Sequence, residues 1–433
     1  MTMHCCRGTV SGSIDAPASK SSMQRAVACA TLAQGKSRLL GGELCADSES
    51  ALRLSKDLGA TVHVSGPSIE IEGSPLFAPA ALRSADPSDS VGFSEPVILD
   101  CGESGLCMRM FSPVAALLER KTRMTGRGSL LRRPMGMVEK PLHAFGASCA
   151  SSEGFAPLSI KGPLRGGKMN IDAGESSQLL TGLLIALPLC LEDSELRVEN
   201  AVSKGYLDVT IDTCAAFGVT VERDVGFSRF SIRGRQEYCP ASFQVEGDWS
   251  GAAFLVASAA IAAGEGGLEI RSLNADSSQP DKAIMQAALS AGAPLRFEGD
   301  SLFVARAHLH AFEFDATDCP DLFPPLVALA SACRGVSTIR GIHRLRGKES
   351  DRAASLKAAF EALGVTVSFE GDAMLVRGGE LRGGEVDACG DHRIAMAAAT
   401  ASFAARSCVV IRGSECVSKS WPRFFEDIAS IRH

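Results

Sequence analysis

The sequence predicts an α/β fold of two similar domains, each made of three repeated βαβαββ-type units with buried helices. Three observations indicate this fold. Six helical segments are apolar on every side, as buried helices are. Six amphipathic helices alternate with them, and a strand, a turn and a second strand follow the first five of these. The apolar segments begin 71 to 84 residues apart, so the chain reads as six copies of one unit.

The helices are placed by their apolar pattern. The predicted buried helices cover residues 22–33, 106–117, 178–189, 251–263, 322–333 and 393–405. The predicted surface helices cover residues 48–58, 135–145, 208–217, 283–291, 353–363 and 422–430. Each of the first five surface helices ends at a glycine that caps it and opens a strand, namely Gly59, Gly146, Gly218, Gly292 and Gly364.

The domain boundaries follow from the sixth copy. Its surface helix ends close to His433, so the strands that should complete it can come only from residues 4–15. We therefore expect one domain over residues 19–245 and a second over residues 1–18 plus 246–433. The chain then crosses twice between the domains, and ligands are often held between domains.

Composition limits the functions that the chain can have. Its 433 residues are 45% hydrophobic and 22% charged, as in a soluble globular protein of two or three domains. The net charge of -6 offers no basic surface for nucleic acid, and the longest apolar run, residues 252–263, is too short to cross a bilayer. We expect neither a nucleic-acid partner nor a membrane span, and irregular structure only in loops such as residues 87–96.

The cysteine pattern indicates the compartment. The 15 cysteines form no C-x-x-C pair and have no zinc-like spacing with histidine, and no secretory leader precedes them. We expect reduced thiols in a cytoplasmic protein, with neither disulfides nor a metal site.

The start of the first buried helix is a candidate binding site. Lys20, Ser21 and Arg25 stand where a helix leaves backbone N–H groups unpaired and carries a partial positive charge. Such an end attracts anions. Taken alone, a capped core helix whose lysine and arginine reach solvent explains these residues equally well.

Comparable polar residues precede the other helices. Ahead of the buried helices stand Gly102, Ser104, Gly105, Ser176, Ser177, Gln178, Asp248, Asp321, Asp391, His392 and Arg393, and ahead of the surface helices stand Arg132, Arg133, Ser203, Lys204, Lys348, Glu349, Ser350, Asp351, Arg352, Lys419 and Ser420. Their recurrence at equivalent places of a repeat favours a functional site over isolated caps and solvated charges.

These residues suggest the ligand and the chemistry. An acidic protein that gathers lysines and arginines at such places should bind a small ligand with several negative charges, because arginine forks suit carboxylates and phosphates. Asp321 and Glu349 stand among the cations and are candidates for proton transfer. The sequence has no Walker loop, dinucleotide fingerprint or metal cluster, which predicts chemistry without a cofactor.

Several short motifs occur in the order and spacing of one known family. They are Ser19-Lys20-Ser21 with Arg25, Gly105 with Met108-Arg109, Arg133-Pro134-Met135-Gly136, Ser176-Ser177-Gln178, Ser203-Lys204-Gly205-Tyr206, Glu246-Gly247-Asp248, Pro320-Asp321, Lys348-Glu349-Ser350-Asp351-Arg352, Asp391-His392-Arg393 and Lys419-Ser420-Trp421-Pro422. Through them the whole chain resembles the 5-enolpyruvylshikimate-3-phosphate (EPSP) synthases, enolpyruvyl transferases of aromatic amino-acid biosynthesis. The resemblance implies two domains of the inside-out α/β barrel type.

The resemblance also implies substrates and residue roles. Shikimate 3-phosphate would be held by Ser21, Arg25, Ser176, Ser177, Gln178, Ser203 and Tyr206, with Asp321 and Lys348 at its reacting hydroxyl. Phosphoenolpyruvate would be held by Lys20, Gly105, Arg133, Arg352, Arg393 and Lys419. Asp321 would be the base, and Lys20 and Glu349 would transfer protons. The first domain would hold the phosphate of shikimate 3-phosphate, and the second would hold phosphoenolpyruvate and catalytic groups. We expect a monomer.

The chain departs from the family pattern in two places. The turn usually written Gly-Asn-Ala-Gly-Thr reads Gly102-Glu103-Ser104-Gly105-Leu106, and an asparagine ahead of the lysine motif is replaced by Arg344. The family inhibitor glyphosate competes with phosphoenolpyruvate in the space beside the glycine that matches Gly105. We therefore expect inhibition by glyphosate, and Gly105→Ala should weaken glyphosate far more than substrate.

Two other functions stay open at this point. The related enolpyruvyl transferases that act on UDP-N-acetylglucosamine carry a cysteine in a mobile loop, whereas residues 126–133 hold three arginines and no cysteine. A non-catalytic binding protein is suggested by Glu103 and Leu106. Such a protein would not need the proton-handling set of Lys20, Asp321 and Glu349.

Overall fold

The computed structural model describes residues 1–78 and 95–433, so the loop predicted over residues 87–96 lies for the most part outside the described residues. The described chain divides into two compact units. The first unit is Lys20–Val245, and the second unit is Met1–Ser19 together with Glu246–His433.

Twelve α-helices are described, at the twelve predicted places. In chain order they are α1 (Lys20–Leu32), α2 (Ala46–Asp57), α3 (Gly105–Ala115), α4 (Glu139–Ala144), α5 (Gln178–Ala186), α6 (Lys204–Ala216), α7 (Trp249–Ala262), α8 (Ile284–Ser290), α9 (Phe323–Ala332), α10 (Arg352–Ala362), α11 (His392–Ala401) and α12 (Phe424–Ser430). The odd-numbered helices are the predicted buried ones, and every residue of α3 and α7 is buried. The predicted alternation is confirmed. Within the described ranges, no helix has the length and apolar character needed to cross a bilayer.

The described strands lie between these helices. In chain order they are β1 (Thr2–Cys5), β2 (Val10–Asp15), β3 (Lys36–Leu40), β4 (Thr61–Ser65), β5 (Ser68–Glu72), β6 (Val97–Asp100), β7 (Lys121–Thr125), β8 (Ser148–Ser152), β9 (Phe155–Lys161), β10 (Gly167–Asp172), β11 (Ser194–Glu199), β12 (Val221–Arg223), β13 (Arg229–Ile232), β14 (Ser242–Gln244), β15 (Ala263–Arg271), β16 (Leu295–Glu298), β17 (Ser301–Val304), β18 (Glu313–Asp315), β19 (Gly335–Arg340), β20 (Thr366–Glu370), β21 (Ala373–Gly378), β22 (Gly384–Asp387) and β23 (Val409–Arg412).

The first unit has three sheets, with strand orders β14-β3-β5-β4, β6-β7-β9-β8 and β10-β11-β13-β12. In each sheet the first pair is parallel and the other two pairs are antiparallel. In the second and third of these sheets, a buried helix connects the parallel strands and a surface helix leads to the antiparallel pair. This order is the predicted βαβαββ repeat.

The second unit repeats the pattern. Its sheets have the orders β16-β17-β15-β2 and β18-β19-β21-β20, and a third sheet of three described strands has the order β1-β23-β22. The helices α7, α9 and α11 pack against one another, and their apolar residues form the core of the unit. The starts of α7 and α11 lie close together, since Nη2 of Arg393 donates to Oγ of Ser250 at 3.1 Å.

The predicted use of residues 4–15 to complete the sixth copy is correct only in part. Strand β1 pairs antiparallel with β23, with Cys5 opposite Val409, whereas β2 pairs in parallel with β15 of the fourth copy. Strand β14, which precedes α7 along the chain, pairs instead with β3. The repeat pattern shows which segments are strands, but it does not show which sheet each one joins.

The chain passes from one unit to the other at two places, after Ser19 and after Val245. The segments of the second unit at these two places are hydrogen-bonded to each other. The N–H of Ser19 donates to the backbone oxygen of Glu246 at 2.8 Å, and the N–H of Asp248 donates to that of Pro17 at 2.7 Å. Lys20 follows Ser19 directly and begins α1. This pairing therefore fixes the point at which the chain enters the first helix.

One disulfide contradicts the expectation that all cysteines are reduced. Cys6 and Cys408 are bonded, with Cα atoms 4.1 Å apart, and the other 13 cysteines are free. The register of β1 against β23 explains the bond, since the pair that follows Cys5 and Val409 is Cys6 and Cys408. A separation of 402 residues left no spacing signal in the sequence.

Candidate active site

Lys20 is held by an acid from the neighbouring helix. Its Nζ lies 3.2 Å from Oδ2 of Asp47, and both side chains are largely buried. Asp47 lies in the first turn of α2, where the helix dipole favours a carboxylate. Asp47 was not predicted from the sequence, although an acid in the first turn of the next helix was a usable signal.

Gln24 joins the starts of three helices. Its Nε2 donates to the backbone oxygen of Asp47 at 3.1 Å and to Oγ of Ser104, the N-cap of α3, at 2.8 Å. Gln24 and Ser104 are fully buried. The network fixes the ion pair of Lys20 relative to the turn before Gly105.

Arg25 is buried against α5 and α6. Its Nε donates to Oγ1 of Thr210 at 2.8 Å, and Nη2 donates to Oγ1 of Thr181 at 3.3 Å and to the backbone oxygen of Tyr206 at 3.2 Å. Its Nη1 donates to the backbone oxygen of Ser21 at 2.8 Å. Burial lowers the pKa of Arg25 to about 10, so the side chain keeps its charge at neutral pH. The two threonines were not predicted.

The guanidinium of Arg133 lies against Gly105. A Cβ atom at Gly105 would stand 2.6 Å from Nη1 and 2.7 Å from Cζ of Arg133, which is only 6% exposed. Further along α3, Arg109 donates from Nη2 to the backbone oxygen of Pro134 at 2.9 Å and from Nη1 to Oε1 of Gln178 at 2.8 Å. Arg109 belongs to one of the family motifs but was assigned no role from the sequence.

The three serines predicted to hold the phosphate of shikimate 3-phosphate lie at the starts of α5 and α6. Oγ of Ser176 accepts from the N–H of Gln178 at 3.2 Å, and Ser177 precedes α5 directly. Ser203 precedes α6 with a φ of 53°, and its backbone oxygen accepts from the N–H of Tyr206 at 3.0 Å. The contacts of Arg25 and Arg109 link these two helix starts to α1 and α3. All ten predicted residues of this unit thus belong to connected helix starts or to the segment that carries Arg133.

Arg352 is the centre of the charged cluster in the second unit. Its side chain is 1% exposed, and its nitrogens lie 2.9 Å from Oδ1 of Asp321, 2.6 Å from Oε2 of Glu349 and 2.9 Å from Oδ2 of Asp391. Burial opposes the positive charge, but Asp391, Glu349 and Asp321 together raise the pKa of Arg352 above the usual arginine value. The guanidinium therefore holds three carboxylates in one place.

Asp321 contacts three cations. Besides Arg352, Nη2 of Arg393 lies 3.1 Å from Oδ2, and Nζ of Lys348 lies 3.3 Å from Oδ1. Burial by itself would raise the pKa of Asp321, but Arg393, Lys348 and Arg352 outweigh it and hold the pKa well below its usual range. Asp321 is therefore ionised at neutral pH.

Asp391 also belongs to this cluster. It was named in a motif from the sequence but was assigned no role in the site. It is fully buried. Its Oδ1 accepts from the N–H of Arg393 at 3.0 Å, which caps α11, and its Oδ2 accepts from Oγ of Ser350 at 3.2 Å. A capping aspartate at a helix start gives no sign in the sequence that it also pairs with a distant arginine.

Lys419 and Lys348 complete the cations of the cluster, and Arg344 lies nearby. Nζ of Lys419 lies 3.8 Å from Oε1 of Glu349, and both side chains are 9% exposed. Burial lowers the pKa of Lys348, and Asp321 counteracts this only in part. Arg344, the departure noted above, is buried and donates from Nε to the backbone oxygen of Thr317 at 3.2 Å. Burial lowers the pKa of Arg344 too, although Asp318 and Asp321 favour its charge.

The predicted residues of the second unit therefore form one connected cluster. Its members are Asp321, Lys348, Glu349, Arg352, Arg393 and Lys419, joined by Asp391. Four cations minus three carboxylates leaves one net positive charge. Such a cluster suits an anion with several charged groups, and it holds an ionised carboxylate that can accept a proton.

Comparisons with known proteins were made on the whole chain. A family model described as EPSP synthase (3-phosphoshikimate 1-carboxyvinyltransferase) matches residues 6–428. A 3-phosphoshikimate 1-carboxyvinyltransferase of Clostridium perfringens is 33% identical over 97% of this chain and 96% of its own, and one of Methanocorpusculum labreanum is 34% identical over 100% and 98%. Among solved structures, the EPSP synthase of Acinetobacter baumannii has a similar fold, with a TM-score of 0.79 and 23% identity over 100% of this chain and 98% of its own.

Proposed function

Since this chain belongs to the EPSP synthase family, we propose that it transfers the enolpyruvyl group of phosphoenolpyruvate to the 5-hydroxyl of shikimate 3-phosphate and releases inorganic phosphate. It is a transferase of the shikimate pathway to chorismate and the aromatic amino acids. The observation that carries the proposal is the cluster around Asp321, in which an ionised carboxylate lies among Arg352, Arg393 and Lys348. A base within a set of cations is what a reaction between two phosphorylated carboxylic acids requires.

In this proposal the first unit binds shikimate 3-phosphate. Arg25 and Ser21 take its carboxylate, and Ser176, Ser177 and Ser203 take its phosphate, with Gln178 and Tyr206 at its ring. The burial of Arg25 at the start of α1 supports the first assignment, because its contacts to α5 and α6 leave the guanidinium little freedom. The position of the serines at the starts of α5 and α6 supports the second, since helix starts favour anions.

Phosphoenolpyruvate is assigned to Lys20, Arg133, Arg352, Arg393 and Lys419, with Gly105 beside it. The burial of Arg133 against Gly105 supports its assignment, because the guanidinium is already oriented before a ligand arrives. Arg352 is oriented in the same way by its three carboxylates.

Asp321 then acts as the base for the hydroxyl. Three cations make it a weak base in this structure, because they hold its pKa low. The phosphate and carboxylate groups of the two substrates compete for Lys348, Arg352 and Arg393. Sharing these cations with the substrates raises the pKa of Asp321 and allows it to take the hydroxyl proton.

The remaining proton transfers are assigned to Lys20 and Glu349. The hydroxyl oxygen forms a bond to the central carbon of phosphoenolpyruvate while its methylene carbon gains a proton. The resulting methyl group then loses a proton as the carbon–oxygen bond to phosphate breaks, which restores the double bond. The ion pairs of Lys20 with Asp47 and of Glu349 with Arg352 support these roles, since they orient both groups.

A monomeric state, a cytoplasmic location and the lack of a nucleic-acid partner stay predictions. They are tested by the elution volume on size exclusion with light scattering, by fractionation of the source cells, and by mobility shift with unspecific DNA.

Phosphate release tests the proposed function. The protein is incubated with phosphoenolpyruvate and either shikimate 3-phosphate, UDP-N-acetylglucosamine or neither. Release only with shikimate 3-phosphate is expected, and release only with the UDP-sugar would indicate the related transferase instead. Binding of both substrates without release in any mixture would indicate a binding protein. The same assay compares Asp321→Ala with Asp300→Ala. Asp300 is an exposed aspartate of the same unit, so Asp300→Ala is the matched control.

A further inference from the structure

Glu103, the acid in the turn before α3, faces a neighbouring loop. Its Oε2 accepts a hydrogen bond from the N–H of Ser129 at 3.3 Å and another from Oγ of Ser129 at 3.2 Å. The proposed function uses Gly105, two residues later, but assigns nothing to Glu103.

Gly128 provides the space for this contact. Its φ is +57°, and a Cβ atom there would stand 2.3 Å from Oε1 and 2.6 Å from Oε2 of Glu103. A glycine is thus needed both for the backbone conformation and for the close approach of the carboxylate. Just before it, the N–H of Arg127 donates to the backbone oxygen of Gly102 at 2.8 Å. The loop is joined to the turn by its backbone and by the Glu103 side chain.

The same loop carries Arg133. Residues Gly128–Arg132 form a 3-10 helix, Leu130 within it is fully buried, and the N–H of Arg133 donates to the backbone oxygen of Leu130 at 3.1 Å. The guanidinium of Arg133 then returns to the turn and lies against Gly105. The loop therefore starts and ends on the turn that carries Glu103.

We propose that Glu103 is a positioning residue for the binding of phosphoenolpyruvate. By holding Ser129, its carboxylate fixes the start of the 3-10 helix and so sets the place of the Arg133 guanidinium beside Gly105. The proposal rests on the proposed function, in which Arg133 binds phosphoenolpyruvate. It assigns Glu103 an effect on substrate affinity that passes through Arg133 and not through a contact with the substrate.

A comparison of Glu103→Gln with Glu103→Ala distinguishes the loss of the hydrogen bonds to Ser129 from the loss of the negative charge. Both bonds from Ser129 go to one oxygen of Glu103, so the amide oxygen of glutamine can accept them while the charge is lost. We expect Glu103→Ala to raise the KM for phosphoenolpyruvate by about 10-fold with kcat within about 3-fold of the wild type. Glu103→Gln should restore the KM to within about 2-fold. Glu222→Ala, an exposed glutamate on β12, is the control for a surface charge and should change neither constant.

A double-mutant cycle with Arg133→Ala tests the route of the effect. If Glu103 acts through Arg133, Glu103→Ala should lower kcat/KM for phosphoenolpyruvate much less in the Arg133→Ala protein than in the wild type. Equal losses in both backgrounds would overturn the proposal, as would a loss in Glu103→Gln equal to that in Glu103→Ala. An unchanged KM in Glu103→Ala would overturn it as well.

Two further measurements keep the test independent of folding and of the proposed function. Should Glu103→Ala not fold, Ser129→Ala removes only one of the two bonds and should raise the KM by about 3-fold; no change in KM would contradict the proposal. Hydrogen exchange at the Ser129 amide should quicken in Glu103→Ala and not in Glu103→Gln. An inactive wild type would refute the proposed function, whereas an active wild type with an unchanged KM in the variants would refute only the positioning role.

Discussion

Replacement of Asp391 should destabilise the second unit by about 4 kcal/mol for alanine and about 3 kcal/mol for asparagine. Asp391 is fully buried and pairs with Arg352, whose side chain is 1% exposed. Breaking a buried ion pair by removing one partner costs about 3–5 kcal/mol. The low end applies here, because Arg352 keeps Asp321 and Glu349 as partners. Alanine also removes the cap of α11, which adds about 1 kcal/mol, whereas asparagine can still cap the helix.

Urea unfolding followed by tryptophan emission measures this effect. The chain has two tryptophans, and both of them, Trp249 and Trp421, lie in the second unit, so the emission reports on that unit. Asp300→Ala removes an exposed aspartate of the same unit and should stay within about 0.5 kcal/mol of the wild type. A loss below about 1 kcal/mol in Asp391→Ala would show that Arg352 does not need this partner and would refute the account of the cluster.

Three other results are expected. Asp321→Ala should lose turnover by roughly 10²-fold or more while most substrate binding remains, as measured by phosphate release and titration. Because the folded-state pKa of Asp321 is lowered, its contribution to stability is present above the unfolded pKa of about 4 and is lost as the pH falls through the folded value. The stability difference between the wild type and Asp321→Ala should therefore be full above about pH 4 and shrink as the pH falls below it, as measured by urea unfolding at a series of pH values. Asp47→Ala should raise the KM for phosphoenolpyruvate by about 10-fold, since Lys20 loses the carboxylate that orients it, and an unchanged KM in steady-state assays would contradict this. Reduction of the bond between Cys6 and Cys408 should lower the free energy of unfolding by up to about 6 kcal/mol, because it opens a loop of 402 residues; a thiol count of 13 in the denatured, unreduced chain, against 15 after reduction, checks that the bond is present.

The helices could be predicted because their signals are local. Buried helices such as α7 are apolar on all sides, and the glycines that end the surface helices stand at fixed places in the repeat. The exchange of β2 and β14 between sheets could not be predicted, since the strand that precedes a helix along the chain is not always its partner in space. The same limit hid the disulfide of Cys6, whose partner becomes adjacent only through strand pairing.

The site residues likewise divide into those with a local signal in the sequence and those without one. Cations such as Arg25 and Arg352 stand at helix starts and are visible in the repeat. Their contacts are not visible, because nothing in the sequence pairs Arg25 with Thr210 of α6. Asp391 stands in a motif ahead of α11, but the sequence does not show that it pairs with Arg352. Contacts between copies of the repeat fix these cations in place.

Gly105 shows how such packing alters an interpretation made from sequence. Seen from the sequence, the glycine leaves room for a ligand, and its replacement by alanine should act mainly on glyphosate. In the structure, the atoms that a methyl group at this position would meet are those of the Arg133 guanidinium, at 2.6 to 2.9 Å. The methyl group must therefore displace Arg133 before it can affect any ligand. Selectivity for glyphosate over phosphoenolpyruvate then depends on whether Arg133 can shift while still binding substrate, and the contact of Glu103 with the loop that carries Arg133 opposes such a shift.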